Sequence, residues 1–210
     1  MNSSAPSPRR VRSDGERTRR LILDTAVRLA TVDGLDGLSI GALAKATSLS
    51  KSGVYAHFDS KEELQLATVD TARELFVEVV VGPALRFEAR ERLLALCGAF
   101  LDYVERRTLP GGCFFAAAAA ELGGRPGPLR ARVARNQKDW IALLTEAADE
   151  AVARGELRRD ADVALLVFEL NALVVAANTA FILHDDPAVI ATARVAVGKV
   201  VAAESAAGGA

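Results

Sequence analysis

Between residues 48 and 64 the sequence reads SLSKSGVYAHFDSKEEL. Lys51, Ser52, Tyr55, His57 and Lys61 crowd this stretch, and Ser39, Ser50 and Ser60 stand where helices would begin. Groups of this kind bind polyanions. The lysines and the imidazole suit phosphate oxygens. Tyr55 brings a hydroxyl for a phosphate and a ring that can lie on a thymine methyl. A serine at a helix start caps it, and the free backbone N–H groups there bind anions. Gly53 costs about 1 kcal/mol against alanine inside a helix. That cost is understandable if the backbone must come close to a phosphate or a base edge. Each residue also has a plainer reading: Tyr55 as a packed tyrosine, His57 as a surface histidine, Lys61 as a solvated lysine that opposes the helix dipole.

A second set of residues suits a small apolar ligand. Phe100, Tyr103, Cys113, Phe114, Phe115, Trp140, Leu144, Phe168 and Asn171 combine aromatic surface with an amide. Ligand sites are mainly apolar, with a few polar groups that fix orientation. The same side chains could be packed core. The run Ala116 to Ala120 would leave room for a ligand or a close helix contact. Asn171 and Asn178 interrupt an apolar segment and need hydrogen-bond partners when buried. A ligand or a symmetric partner could supply them.

Catalytic chemistry finds little to work with. The chain has two histidines, His57 and His184. Cys113, His184 and Asp185 could form a nucleophile set only if folding brought them together. His184 with Asp185 and Asp186 could bind a metal, but three adjacent residues rarely point at one ion. There is no glycine-rich phosphate loop. No enzyme activity, cofactor or metal is expected.

The 210 residues are half apolar and rich in alanine, leucine, arginine and glutamate, which are helix formers. An all-α fold is expected. The net charge is −1, yet six arginines face only Asp14 and Glu16 in the first twenty residues. A basic head on an acidic body suggests one nucleic-acid-facing end. Two cysteines without a C-x-x-C pair fit a reducing compartment. The N-terminus lacks an uninterrupted signal-peptide core, and Glu169, Asn171 and Asn178 interrupt the most apolar stretch. A cytoplasmic protein without a membrane segment is expected.

Residues 1–12 read as a disordered basic arm, with Arg9, Arg10 and Arg12 either a solubilising tail or minor-groove contacts. Ser13 and Glu16 have capping-box spacing and predict a helix start. Gly34 predicts its end. Ser39 caps a short helix, Ser50 another, and Ser60 with Glu63 a longer one that Gly82 and Pro83 should stop. Helices are then predicted over 88–105, 114–122, 129–154, 160–183 and 187–203. The domain reading is 13–66 for a DNA-binding unit and 67–204 for a helical ligand-binding and dimerisation unit. In the first, Leu38, Ile40, Leu43, Ala44, Leu49, Val54 and Phe58 should pack on Leu21, Ala26 and Leu29. Lys51, Ser52 and Tyr55 are then left to enter a DNA major groove.

LSIGALAKATSLSKSGVYAHFDSKEEL, residues 38–64, resembles the DNA-binding domain of the TetR family of bacterial transcriptional regulators. The similarity lies in Ala42 and Ala44 around Leu43, Ser50 and Lys51, Tyr55, Phe58, and the Ser60 to Leu64 run. It extends over about residues 16–66. The resemblance implies a homodimer of all-helical subunits on a palindromic operator, released when a small molecule binds the C-terminal domain. Two positions depart from the family pattern. Ser48 replaces the usual turn glycine, and Gly53 replaces a larger side chain, which shifts base readout toward Lys51, Ser52 and Tyr55. GGCFFAAAAAELGGRPGPLR followed by Trp140 looks like the C-terminal domain of one subset of the family. The segment Val163 to Leu183 is apolar on nearly every face, so burial by a partner is expected, with the dimer built from the last two helices. A DNA-binding activator or architectural protein without a ligand is the alternative, and an internal cavity would separate the two.

Overall fold

The computed structural model describes the backbone of residues 8–206 and the side chains from residue 14. The described elements are α1 (Pro8–Gly37), α2 (Ile40–Thr47), α3 (Lys51–Tyr55), α4 (Lys61–Phe76), a π-helical turn (Val77–Val81), α5 (Gly82–Ala84), α6 (Ala89–Glu105), α7 (Phe114–Leu122), α8 (Pro128–Ala153), α9 (Val163–His184) and α10 (Pro187–Ala203). The fold is all-α, as the composition implies.

The short helices begin where the serines predict. Ser39, Ser50 and Ser60 accept hydrogen bonds from the N–H groups of Ala42, Gly53 and Glu63. Glu63 completes the last cap by accepting the N–H of Asp59 at 2.7 Å. Gly34 breaks α1 with φ 78° and ψ 163°. The start of α1 differs from the prediction. It lies at Pro8, because proline lacks an N–H and has a preset φ, which suit a first helical turn. Ser13 is therefore inside the helix, and the backbone of residues 8–12 is helical. Residues 1–7, and the side chains of Arg9, Arg10 and Arg12, lie outside the described residues.

The helical run ends at Ala84, next to the predicted stop at Gly82 and Pro83, but it changes form before it gets there. The helix widens over Val77–Val81, and the Gly82 N–H bonds the carbonyl of Val77, five residues back. In an α-helix the Pro83 ring would clash with the carbonyl of Val79. The wider turn accommodates the proline in the last turn of the run, which closes at Ala84.

Ala26, Leu38, Leu43, Ala44, Val54 and Phe58 are buried, and Leu29, Ile40 and Leu49 pack against them. Leu21 is instead 49% exposed, and its neighbours Ile22 and Leu23 fill the core. The C-terminal unit is organised round α6, which packs on α8, α9 and α10. The first unit docks on the second where α1 meets α7. Gly111 is pressed on this contact, since a Cβ there would lie 1.9 Å from the Thr31 carbonyl oxygen.

Ser48 caps α2 in the left-handed region at φ 57°. A serine pays a steric penalty there that glycine does not. Ser48→Gly should therefore raise stability by up to about 1 kcal/mol, read as a higher urea midpoint with an unchanged slope.

Candidate nucleic-acid interface and internal cavity

Ser39, Ser50, Lys51, Ser52, Tyr55, Ser60 and Lys61 are exposed, and Gly53 and His57 are half-buried. Tyr55 keeps 63% of its surface open although it is large and aromatic. Val54 and Phe58 turn inward, which directs the Lys51, Ser52 and Tyr55 face of α3 outward. Two residues have internal explanations that the sequence did not reveal. A Cβ on Gly53 would sit 3.1 Å from Ser50 Oγ, so the glycine makes room for the α3 cap. Lys61 Nζ donates to the Asp36 carbonyl at 2.7 Å, which accounts for a lysine in the first turn of α4. The ammonium has three donors, so further donors remain for another acceptor.

The C-terminal unit holds a cavity of about 240 Å³ between α4, α6, α7, α8 and α9. Of the sequence-predicted set, Phe100, Cys113, Phe115, Trp140 and Asn171 line it. Four do not. Tyr103 is buried behind the wall, edge-on to Phe76 at 6.0 Å. Phe114 is buried against Phe115. Leu144 is fully buried in the core. Phe168 is 70% exposed and lies along a separate surface groove between α8 and α9. Spacing on an all-apolar helix cannot tell which side faces inward.

Sequence reasoning missed Phe76 at the end of α4, Val77 and Val81 on the widened turn, and Asn136 and Gln137 on α8. Asn136 stands one turn before Trp140, a spacing that places both on one helix face. Arg73 and Asp139 also line the cavity and pair at 3.6 Å, each about half exposed. Their charges offset each other, so the cavity offers no lone cation to an anionic ligand. The amide oxygens of Asn171 and Asn178 find partners within the chain. Trp140 Nε1 donates to Asn171 Oδ1 at 3.1 Å. Asn178 Oδ1 accepts the Cys113 N–H at 2.8 Å. Burial pushes the Cys113 thiol up to about 11, so it is protonated near neutrality and a poor nucleophile. His184 is exposed, and Asp185 pairs with Arg107. Among the described residues no three His, Cys, Asp or Glu side chains form a metal-binding group.

Residues 22–68 match the family model described as bacterial regulatory proteins, tetR family, and residues 89–197 match that of the tetracyclin repressor-like C-terminal domain. The chain belongs to the TetR family. TetR-family proteins are transcriptional regulators. Among curated relatives, the regulator AcrR of Shigella flexneri is 36% identical over 56 residues, 27% of this chain and 26% of AcrR. The negative regulator IcaR of Staphylococcus epidermidis is 28% identical over 60 residues, 29% of this chain and 32% of IcaR. The chain thus aligns with under a third of either relative. A TetR regulator structure from Chloroflexus aurantiacus superposes with TM-score 0.85 at 27% identity, covering 92% of this chain and 98% of that one. The structure of AibR with isovaleryl coenzyme A and operator DNA superposes with TM-score 0.69 at 26% identity, covering 87% and 97%.

Proposed function

We propose that this TetR-family regulator is a cytoplasmic repressor that binds a palindromic operator as a homodimer and is released by a small, mostly apolar effector. The cavity carries the reading. Its wall includes Phe76 at the end of α4, and α4 begins at Lys61, beside α3. One helix thus joins the effector site to the DNA-facing unit. AibR, with a related fold, holds an acyl-coenzyme A and operator DNA together.

On DNA, Lys51, Ser52 and Tyr55 face the base edges and Gly53 lets the backbone approach. Ser39, Ser50, Ser60, His57 and Lys61 take phosphates. Phosphate contacts set the register and base contacts the sequence. Release requires the effector to bind the mismatched arrangement about 10⁴-fold better than the matched one for a near-complete switch.

The test uses a palindromic site selected from random-sequence DNA and follows Trp140 fluorescence during titration with apolar compounds. A compound that perturbs Trp140 and releases the operator supports the reading. Operator binding with no compound that perturbs Trp140 would favour an activator or architectural protein without a ligand. Lys61→Ala should weaken binding to all sequences and lower the slope of log affinity against log salt by about one unit. Tyr55→Ala should weaken binding about tenfold, the scale of one good base contact. If both variants bind like the parent, α3 is not the recognition helix.

A further inference from the structure

We propose that Glu121 is a positioning residue that transmits the state of the cavity to the DNA-binding unit. The inference rests on the effector-cavity reading and identifies its coupling element as α7. Glu121 is the penultimate residue of α7, and its carboxylate accepts two consecutive backbone amides across the unit boundary. Oε2 takes the Leu35 N–H and Oε1 the Asp36 N–H, each at 2.8 Å. These amides are exposed to a partner because Gly34 has just broken α1. Gly34 also makes the approach possible, since a Cβ there would lie 3.0 Å from Glu121 Oε2.

The same corner is held from its other side by α4. Gln65 Nε2 donates to the Leu35 carbonyl at 2.8 Å and Lys61 Nζ to that of Asp36. Arg125, just beyond α7, pairs with the Asp36 carboxylate and holds it below the ordinary aspartate range. Residues 35 and 36 are therefore gripped between α4, which continues into the DNA-facing unit, and α7, which belongs to the cavity wall.

The middle of α7 supplies that wall through Phe115, Ala116 and Ala119. Its N-terminal end is fixed to α9 by the bond from Cys113 to Asn178. A group pressed against Ala116 or Ala119 therefore pushes on the C-terminal half of α7, which carries Glu121. The grip is sensitive to small movements. A displacement of about 1 Å takes both bonds beyond 3.5 Å, where a hydrogen bond no longer exists. The corner then keeps only the α4 contacts and the exposed Arg125–Asp36 pair, and the DNA-binding unit can reorient.

Cavity-filling substitutions can stand in for an effector that is not yet identified. Amide hydrogen exchange is measured on the full chain for Ala116→Leu, Ala119→Leu, Glu121→Ala, Glu121→Gln and the double variants. Glu121→Ala should speed exchange at Leu35 and Asp36 about tenfold, the effect of losing a charge-assisted bond. Glu121→Gln keeps one acceptor oxygen and should fall between. Each cavity variant should speed the same two amides about threefold, through partial release of the corner. Added to Glu121→Ala, it should speed them no further. A role in stability alone would accelerate exchange through the whole core and would be additive with the cavity substitutions. That result overturns the proposal, as does unchanged exchange at Leu35 and Asp36 in both single cavity variants. Failure of every compound to bind the cavity would sink the effector reading and leave this coupling measurable.

Discussion

Phe168→Asp should convert the proposed homodimer to a monomer and lower operator affinity at least about a hundredfold. In the protomer Phe168 is 70% exposed, Leu165 53% and Leu183 73% on α9, and Val195 58% on α10. Ala172 and Ala176 are exposed between them at helical spacing. Large apolar groups separated by small ones let a second helix approach closely, and an exposed patch of this kind marks an association surface. A two-fold interface uses each residue twice. Burying a phenylalanine is worth about 1.5–3 kcal/mol, so losing two costs about 3–6 kcal/mol before any repulsion between the aspartates. The dissociation constant then rises by roughly 10²–10⁴. A monomer engages one half-site and loses the second. Because the side chain is already exposed, the protomer fold should change by less than about 0.5 kcal/mol. Sedimentation at micromolar concentration, circular dichroism and operator titration check the three parts. A variant that sediments as a dimer would remove α9 from the interface.

Much of the DNA-facing unit was legible because its determinants are local. Ser39, Ser50 and Ser60 cap N–H groups three residues on, and such pairs can be read from spacing. Gly34 and Ser48 marked backbone positions that only a turn explains. The cavity was half legible. Trp140 and Asn171 stood out by type, and they do bond each other. Phe168 was misplaced because α9 is apolar all round. By length and composition it could cross a membrane, yet it packs on α6, α8 and α10. Only those neighbours decide which side is core. The widened turn between α4 and Pro83 was hidden for another reason. Proline normally ends a helix, and the widened turn that rescues it has no sequence signature of its own. Glu121 carried no signal either, since its partners are backbone amides of the residues at 35 and 36.

Phe76 shows what the end of α4 contributes. It is the last residue of α4 before the widened turn, 9% exposed. Its ring meets Phe100, Tyr103, Phe115 and Trp140, all edge-on, at centroid distances of 6.2, 6.0, 6.0 and 5.5 Å. These rings come from α6, α7 and α8, so Phe76 is where α4 is fastened to the C-terminal unit. Phe→Ala in a core costs about 3–5 kcal/mol. Four edge-on pairs place this site at the upper end, because each adds about 0.5–1.5 kcal/mol beyond burial. A chain of this size loses about 2–4 °C of melting temperature per kcal/mol. Phe76→Ala should therefore lower the melting temperature by roughly 10–20 °C. Phe76→Leu, which keeps most of the volume, should cost less than half as much. Trp140 emission should shift in the alanine variant, since the nearest ring to the indole is removed. The hole opens into the existing cavity, so the alanine variant should accept apolar compounds too large for the parent. A loss of under about 3 °C would mean that the neighbouring rings collapse into the space, and that α4 is coupled to the cavity by some contact other than Phe76.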